Sequence, residues 1–307
     1  VKGYRNFLNK LWNANNFLIQ NKCTLKISKK IPKPKVNINK WILSELLEAS
    51  NLIKKNIKDY RFDEAAKNAY HFAWHTYCDW YLELSKTILY SDNTKSKTEV
   101  KEVSTFIFGQ ILILLHPFIP FVTEKIWLLN KFDQNGKNFL MLSNWISGKS
   151  KKDTDFHQVN KIIDIISNIR SFKNELNVSP GSFVDISIHN IKKNNQSFVM
   201  NNEIIMKKLG RINNFFKKDQ NRPSASLIIS GDLFKIYFDE NVDLNTIKEN
   251  LQNRQSKYQA EIDKISQRLN NKSFIQRAPK DIVQQEKNNY SNLKKDIEKI
   301  SLTIESL

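Results

Sequence analysis

Between Phe62 and Lys86 the chain reads FDEAAKNAYHFAWHTYCDWYLELSK, and this segment limits the possible folds more than any other. Ala66, Ala69, Ala73, Tyr77, Trp80 and Leu84 recur three or four residues apart, as one continuous helical stripe. Phe62, Tyr70, Trp74 and Tyr81 widen that stripe into a face too broad for a helix lying alone on a surface. A helix of this kind has to be clasped from several sides, so a bundle is expected around it.

The same periodicity extends over residues 1–146. Tyr4, Phe7, Leu8, Leu11, Ala14 and Leu18 make the buried side of a first helix. A Lys/Pro linker follows from Thr24 to Lys35, where Pro32 and Pro34 prevent regular structure. Asn39 is placed to cap a second helix with the stripe Ile42, Leu46, Ala49, Ile53 and Ile57. The aromatic helix is third. A fourth is expected over Val100 to Leu115, and a fifth near Thr123, after HPFIPF.

Residues 147–242 change character. One helix (Val159, Ile162, Ile166, Ile169, Leu176) ends at Ser179-Pro180-Gly181. Val184, Ile186 and Ile188 then alternate with polar residues, as a half-buried strand does. Two more strands, Ser226–Ser230 and Leu233–Phe238, flank a hairpin turn at Gly231-Asp232, and a helix is expected over Phe198–Leu209. The whole is a small mixed α+β module. From residue 243 the spacing becomes that of a coiled coil: Leu251, Tyr258, Ile262, Ile265 and Leu269, then, after a loop and Pro279, Tyr290, Leu293, Ile297, Ile300, Ile304 and Leu307. Two such helices predict an antiparallel hairpin, roughly 40 Å long at 1.5 Å per residue. The expected fold is therefore mainly α: a helical bundle (1–146), a small α+β connecting module (147–242) and a C-terminal antiparallel coiled-coil hairpin (243–307).

Charge points to a polyanionic partner. The formal net charge is +18, and ten basic side chains precede the first acid, Glu45. Such a field attracts nucleic acid and weakens with salt; a lysine-rich proteome is the bland alternative. Two distant cysteines, Cys23 and Cys78, with no CxxC pair and no His cluster, argue against disulfides and zinc. The longest apolar run, Ile111 to Val122, is interrupted by His116, Pro117 and Pro120 and falls short of the roughly 20 residues a membrane helix needs. The chain begins with Val1, which reads as a piece cut from something longer.

No catalytic constellation stands out: the seven glycines are scattered singly, and no nucleophile–base or paired-carboxylate arrangement is visible. His71 and His75 read as structural histidines of a core helix. On the first helix, Arg5, Asn9, Asn13, Asn16 and Gln20 recur opposite the apolar side, with Lys10 nearby and Trp12 at the border. Amides and a cation beside an aromatic suit unpaired bases, which offer hydrogen-bonding edges and stacking faces. The alternative is a solvated polar face with Trp12 packed inward. Trp41, beside Lys40, is either an exposed stacking platform or the edge of a wide core. On the hairpin, Lys248, Arg254, Lys257, Lys264, Arg268, Lys272, Arg277 and Lys280 form a basic flank able to bind phosphates without reading sequence. Phe274 and Ile275, in KSFIQRAPK, are expected to divide between packing back and contacting a partner.

Several of these segments resemble one family. CDWYLELSK, GYRNFLNKLWNA (Gly3 to Ala14), IRSFKNELNVSPG (Ile169 to Gly181) and SFIQRAPKDIVQQEK (Ser273 to Lys287) resemble valyl-tRNA synthetases, while LLHPFIPFVTEKIW (Leu114 to Trp127) is shared more widely among the valyl, leucyl and isoleucyl enzymes. The resemblance spans the chain. It implies that the bundle is a class I synthetase-type anticodon-binding domain, and that the hairpin is the arm touching the outer corner of tRNA. It also implies that the parent protein attaches valine to tRNA with ATP and Mg²⁺ in catalytic and editing domains outside this segment. Lys26-Ile27-Ser28-Lys29-Lys30 is faintly similar to the ATP-binding lysine loop of class I enzymes, but it follows the first bundle helix and reads as a basic linker. The segment alone is expected to be inactive, to hold no cofactor or metal, and to be monomeric and cytoplasmic. A freestanding RNA-binding helical protein, a split subunit acting in trans, or a coiled-coil interaction protein without RNA are the alternatives.

Overall fold

A computed structural model describes residues 2–23, 30–132, 139–238, 242–271 and 279–307, without the side chains of Lys2, Tyr4, Lys280, Lys299 and Ser306. Two compact units divide the chain, Val1–Ile163 and Asp164–Leu307.

The first unit is helical. Helix α1 (Lys2–Gln20) buries Phe7, Leu11, Ala14 and Leu18; Leu8, expected on that side, is 36 % exposed. Helix α2 (Asn37–Lys58) starts two residues before the expected cap. Asn39 is not a cap but a fully buried hub: its Nδ2 donates to Glu99 Oε1 (3.0 Å), and its Oδ1 accepts from the Tyr81 hydroxyl (2.7 Å). The capping is done from a distance. Glu99 Oε1 also accepts the backbone N–H groups of Lys35 (3.0 Å) and Val36 (2.9 Å), which places a carboxylate where the helix dipole is positive.

Helix α3 (Phe62–His71) runs without a break into a π-helical stretch, Phe72–Tyr81, and then into α4 (Leu82–Leu89). Hydrogen bonding to the fifth residue puts side chains five apart in line. The buried sets follow that spacing: Phe72, Tyr77 and Leu82; Thr76 and Tyr81; Ala73 and Cys78. The three-to-four stripe read from the sequence is therefore displaced here, and Trp80 and Trp74 are only half-buried. Tyr77 and Tyr81 stack at 5.6 Å, and the Tyr77 hydroxyl donates to the Ser104 carbonyl (3.0 Å).

Helix α5 (Thr94–Leu115) begins earlier than expected, because Asn93 accepts the Ser96 N–H; every residue from Val103 to Leu115 is buried. Helix α6 (Pro120–Leu129) has its proline at the first position, where no N–H is needed. The chain then returns along α2: Ser50, Asn51 and Ser44 donate to the carbonyls of Ile146, Gly148 and Lys151. For that reason the first unit extends past the expected boundary at 146, into the opening turns of α7 (Thr154–Glu175).

The second unit holds a four-stranded sheet in the order β2-β1-β4-β3. Strand β1 (Val184–Ser187) pairs antiparallel with β4 (Asp232–Phe238), which forms a hairpin with β3 (Ala225–Ile229). The turn is Ser230-Gly231, both with positive φ, one residue before the expected position. Strand β2 (Ile212–Phe216) lies parallel to β1 at the edge and was not foreseen, since INNFF carries two exposed asparagines and no clean alternation. The single helix expected before it is two: α8 (Lys193–Asn201) and α9 (Glu203–Gly210), broken at Asn202. Val184, Ile186, Phe234, Ile236, Val199 and Met206 are among the buried residues of this unit.

Helices α10 (Leu244–Asn270) and α11 (Lys280–Ser306) make the antiparallel hairpin, each 27 residues long. Asp243 caps α10 by accepting from the N–H groups of Asn245 and Thr246. Gln255 bonds Ser301 near the base and Arg268 meets Glu286 further out, as antiparallel pairing requires. At the base, Ile247, Leu251, Ile300 and Thr303 are buried, and α11 packs along β3.

Candidate nucleic-acid interface

Helical geometry arranges the exposed arc of α1 in two bands. Arg5, Asn9, Asn13 and Gln20 are exposed and Asn16 half-buried; beside them run Leu8, Trp12 (40 % exposed) and Ile19 (48 %). Trp12 is not packed inward. A guanidinium, four amides and an indole thus share one open face, a donor/acceptor set with a stacking surface.

On the neighbouring flank Lys10 bridges to the π-helical stretch. Its Nζ lies 2.5 Å from Asp79 Oδ1 and 5.1 Å from the Trp74 ring centroid. Asp79 also meets His75 Nδ1 at 3.3 Å. Tyr70 stacks 5.6 Å from Trp74, and both rings lean on Phe7 at 4.8 and 6.1 Å. The His71 and His75 rings are 5.1 Å apart. Partial burial, and then His75, favour the neutral form of His71. These two histidines are exposed, contrary to the expectation of core residues. Their position had a signal in the sequence: Tyr70, His71, Trp74 and His75 each fall one or two residues off the Ala69–Ala73 line.

Two expected contacts are not available. Trp41 is 2 % exposed, and its Nε1 donates to Asn160 Oδ1 at 3.1 Å. It is a core indole with its polar atom satisfied, not a stacking platform. Lys40 Nζ sits 2.6 Å from Asp155 Oδ2, and that hydrogen bond raises its pKa. Its charge is neutralised within the unit.

Along the hairpin, Lys257, Lys264 and Arg268 line one open groove of about 550 Å³ with Glu286 and Asn289. Lys257 and Lys264 are exposed. Arg268 is ion-paired to Glu286 at 3.0 Å, while its side chain stays 60 % exposed. The Arg254 guanidinium lies over the Tyr258 ring at 5.2 Å and donates to its hydroxyl. Lys272, Phe274, Ile275 and Arg277, like the Lys26–Lys29 part of the basic linker, lie outside the described residues, as does the side chain of Lys280.

Among the described residues, no group of three His, Cys, Asp or Glu side chains could hold a metal ion. No described helix is long and apolar enough to cross a membrane. Cys23 and Cys78 are buried free thiols, and burial pushes their pKa up to about 11 and about 12. An apolar pocket of about 540 Å³ between Lys54, Ile57, Phe62, Pro117, Phe118 and Trp145 contains no acid–base pair.

Comparison with known proteins matches two segments. Residues 39–188 match the anticodon-binding domain of tRNA ligase, and residues 243–307 match the valyl tRNA synthetase tRNA binding arm. Helix α1 lies before the first of these. Across its full length the chain is 66 % identical to a valine–tRNA ligase of Pelagibacter ubique (strain HTCC1062), covering 35 % of that protein. It is 33 % identical to the valine–tRNA ligase of Bartonella henselae, again over the whole chain and 34 % of the relative. With that of Brucella suis it shares 31 % identity over 86 % of the chain and 29 % of the relative. The chain thus spans about a third of the length of the curated relatives it matches.

Proposed function

We propose that this chain, which belongs to the valyl-tRNA synthetase family, supplies the tRNA-gripping surfaces of a valine–tRNA ligase. The single observation that carries the reading is the match of the whole chain to about a third of such a ligase, with two segments that match tRNA-binding domains. The parent activates valine with ATP and Mg²⁺ and transfers it to tRNA, using parts of the relatives that this chain does not match. Within the chain, the open α1 face with its Lys10–Trp74 flank receives unpaired anticodon bases, and the hairpin groove at Lys257, Lys264 and Arg268 holds phosphates of the tRNA corner. Neutral amides and aromatic faces suit bases, whereas ammonium and guanidinium groups on a straight helix suit a regular backbone. We place the protein in the cytoplasm, as a monomer, where charged tRNA is used.

Fluorescence anisotropy with valine tRNA and with a second tRNA tests this. Binding should weaken on the order of 10³-fold between 50 and 200 mM salt if about six phosphates are contacted. Valine tRNA should bind more tightly at every salt concentration. Equal affinity for both species together with a flat salt response would remove the reading.

A further inference from the structure

Two cations one turn apart on α7 each hold a backbone carbonyl. Arg170 donates from Nε (3.1 Å) and Nη2 (2.7 Å) to the carbonyl of Leu209, near the end of α9. Lys173, only 2 % exposed, donates to the carbonyls of Ser182 and Pro180. Those carbonyls flank one exposed pair. Ser182 precedes Phe183, and Leu209 stands two residues before Arg211, whose guanidinium carbon lies 5.5 Å from the Phe183 ring centroid. Phe183 is 38 % exposed and Arg211 is exposed. Among the described residues, neither Arg211 nor Lys173 has a carboxylate within ion-pair distance.

The arrangement is costly by itself. A buried ammonium loses hydration that carbonyls only partly replace. Burial, then Arg211 and Arg170, lower the Lys173 pKa, so the three positive charges feel one another. Arg211 also has φ 54, in the left-handed region, where it closes α9 as its C-cap and where glycine fits without strain. Like charge gathered behind one exposed Arg–aromatic pair, with no carboxylate beside it among the described residues, describes a site prepared for an anion.

We propose that Arg211, backed by the Phe183 ring, binds a phosphodiester of RNA, with Arg170 and Lys173 as positioning residues that pin the two backbone segments. A guanidinium lying on an aromatic face keeps its donor edges directed outward, the geometry that phosphate oxygens accept. Arg211 lies between the two matched segments, so this contact adds to the α1 face and the hairpin groove. It rests on the reading that tRNA is the partner.

The test is tRNA binding by the whole chain carrying Arg211→Gly, followed by anisotropy across a salt series and by thermal melting. Glycine accepts the left-handed backbone, so the melting temperature should hold or rise while affinity falls about tenfold and the salt slope drops by about one. Phe183→Ala, which leaves charge and the α9–β2 turn intact, should weaken binding several-fold, and it decides the matter if the glycine variant melts early. If wild type binds tRNA in a salt-dependent way and both variants match it in affinity and slope, the site is wrong and the broader reading stands. If wild type does not bind tRNA, both fall.

Discussion

Trp12 and Trp41 carry the same indole into opposite surroundings. The first stands in an exposed band beside Arg5 and the α1 amides; the second is sealed in the bundle with its N–H on Asn160. Replacing Trp41 with Ala should therefore cost about 3–5 kcal/mol of stability by urea denaturation, the range for a truncated core aromatic. Trp12→Ala should change stability by no more than about 0.5 kcal/mol yet weaken valine tRNA binding by about 1–3 kcal/mol, more than for a non-cognate tRNA. Lost stability in the Trp12 variant with discrimination intact would mean the indole is only a packing residue.

At the level of elements, four helices of this glycine-poor chain close without glycine. Helix α1 closes with the N–H of Cys23 on Leu18, α2 with Arg61 on Asn56, the helix before Phe132 with its N–H on Trp127, and α7 with Val178 on Lys173. Each closure puts a left-handed residue just before the donor: Lys22, Tyr60, Lys131 and Asn177. Lysine and tyrosine pay a steric penalty there that glycine avoids. Lys131→Gly, at an exposed position, should raise stability by about 0.5–1 kcal/mol in thermal unfolding, the left-handed cost less the extra entropy glycine loses on folding. A lower melting temperature would show that the side chain contributes more than its backbone strain takes away. The start of α2 works differently, with Glu99 of α5 closing it across the bundle, so that this helix end forms only when two elements have met.

For the whole molecule, separate responses of the two units are the expected outcome of truncation. All six tryptophans lie at or before Trp145, inside the unit ending at Ile163, so indole emission reports that unit alone. Deleting residues 243–307 should leave its unfolding transition in place. The sheet should lose stability, because Ile247, Leu251, Ile300 and Thr303 are buried at the hairpin base and α11 packs along β3. Binding of cognate and non-cognate tRNA should weaken about equally, since phosphate contacts position RNA without reading it. Undiminished binding by the truncated chain would assign the hairpin another partner.

Periodicity alone determined the helices of the bundle, the β1 and β3–β4 strands and the hairpin seam, because burial on one face imposes a spacing of 3.6, 3.5 or 2 on a chain regardless of what covers it. It also placed Arg5, Asn9, Asn13 and Trp12 on one open arc, since helix geometry sets which residues share a side. Only tertiary structure decided whether Trp41 faces solvent, and that Lys40 pairs with Asp155 and Arg268 with Glu286. Those outcomes depend on partners distant in sequence: Trp41 and Asn160 are 119 residues apart, and Asn39 and Glu99 are 60. The cluster at Arg170, Lys173, Phe183 and Arg211 is of the same kind. Its members sit on a helix and two turns, and only folding, with carbonyls pinned by cations, sets the arginine on the ring.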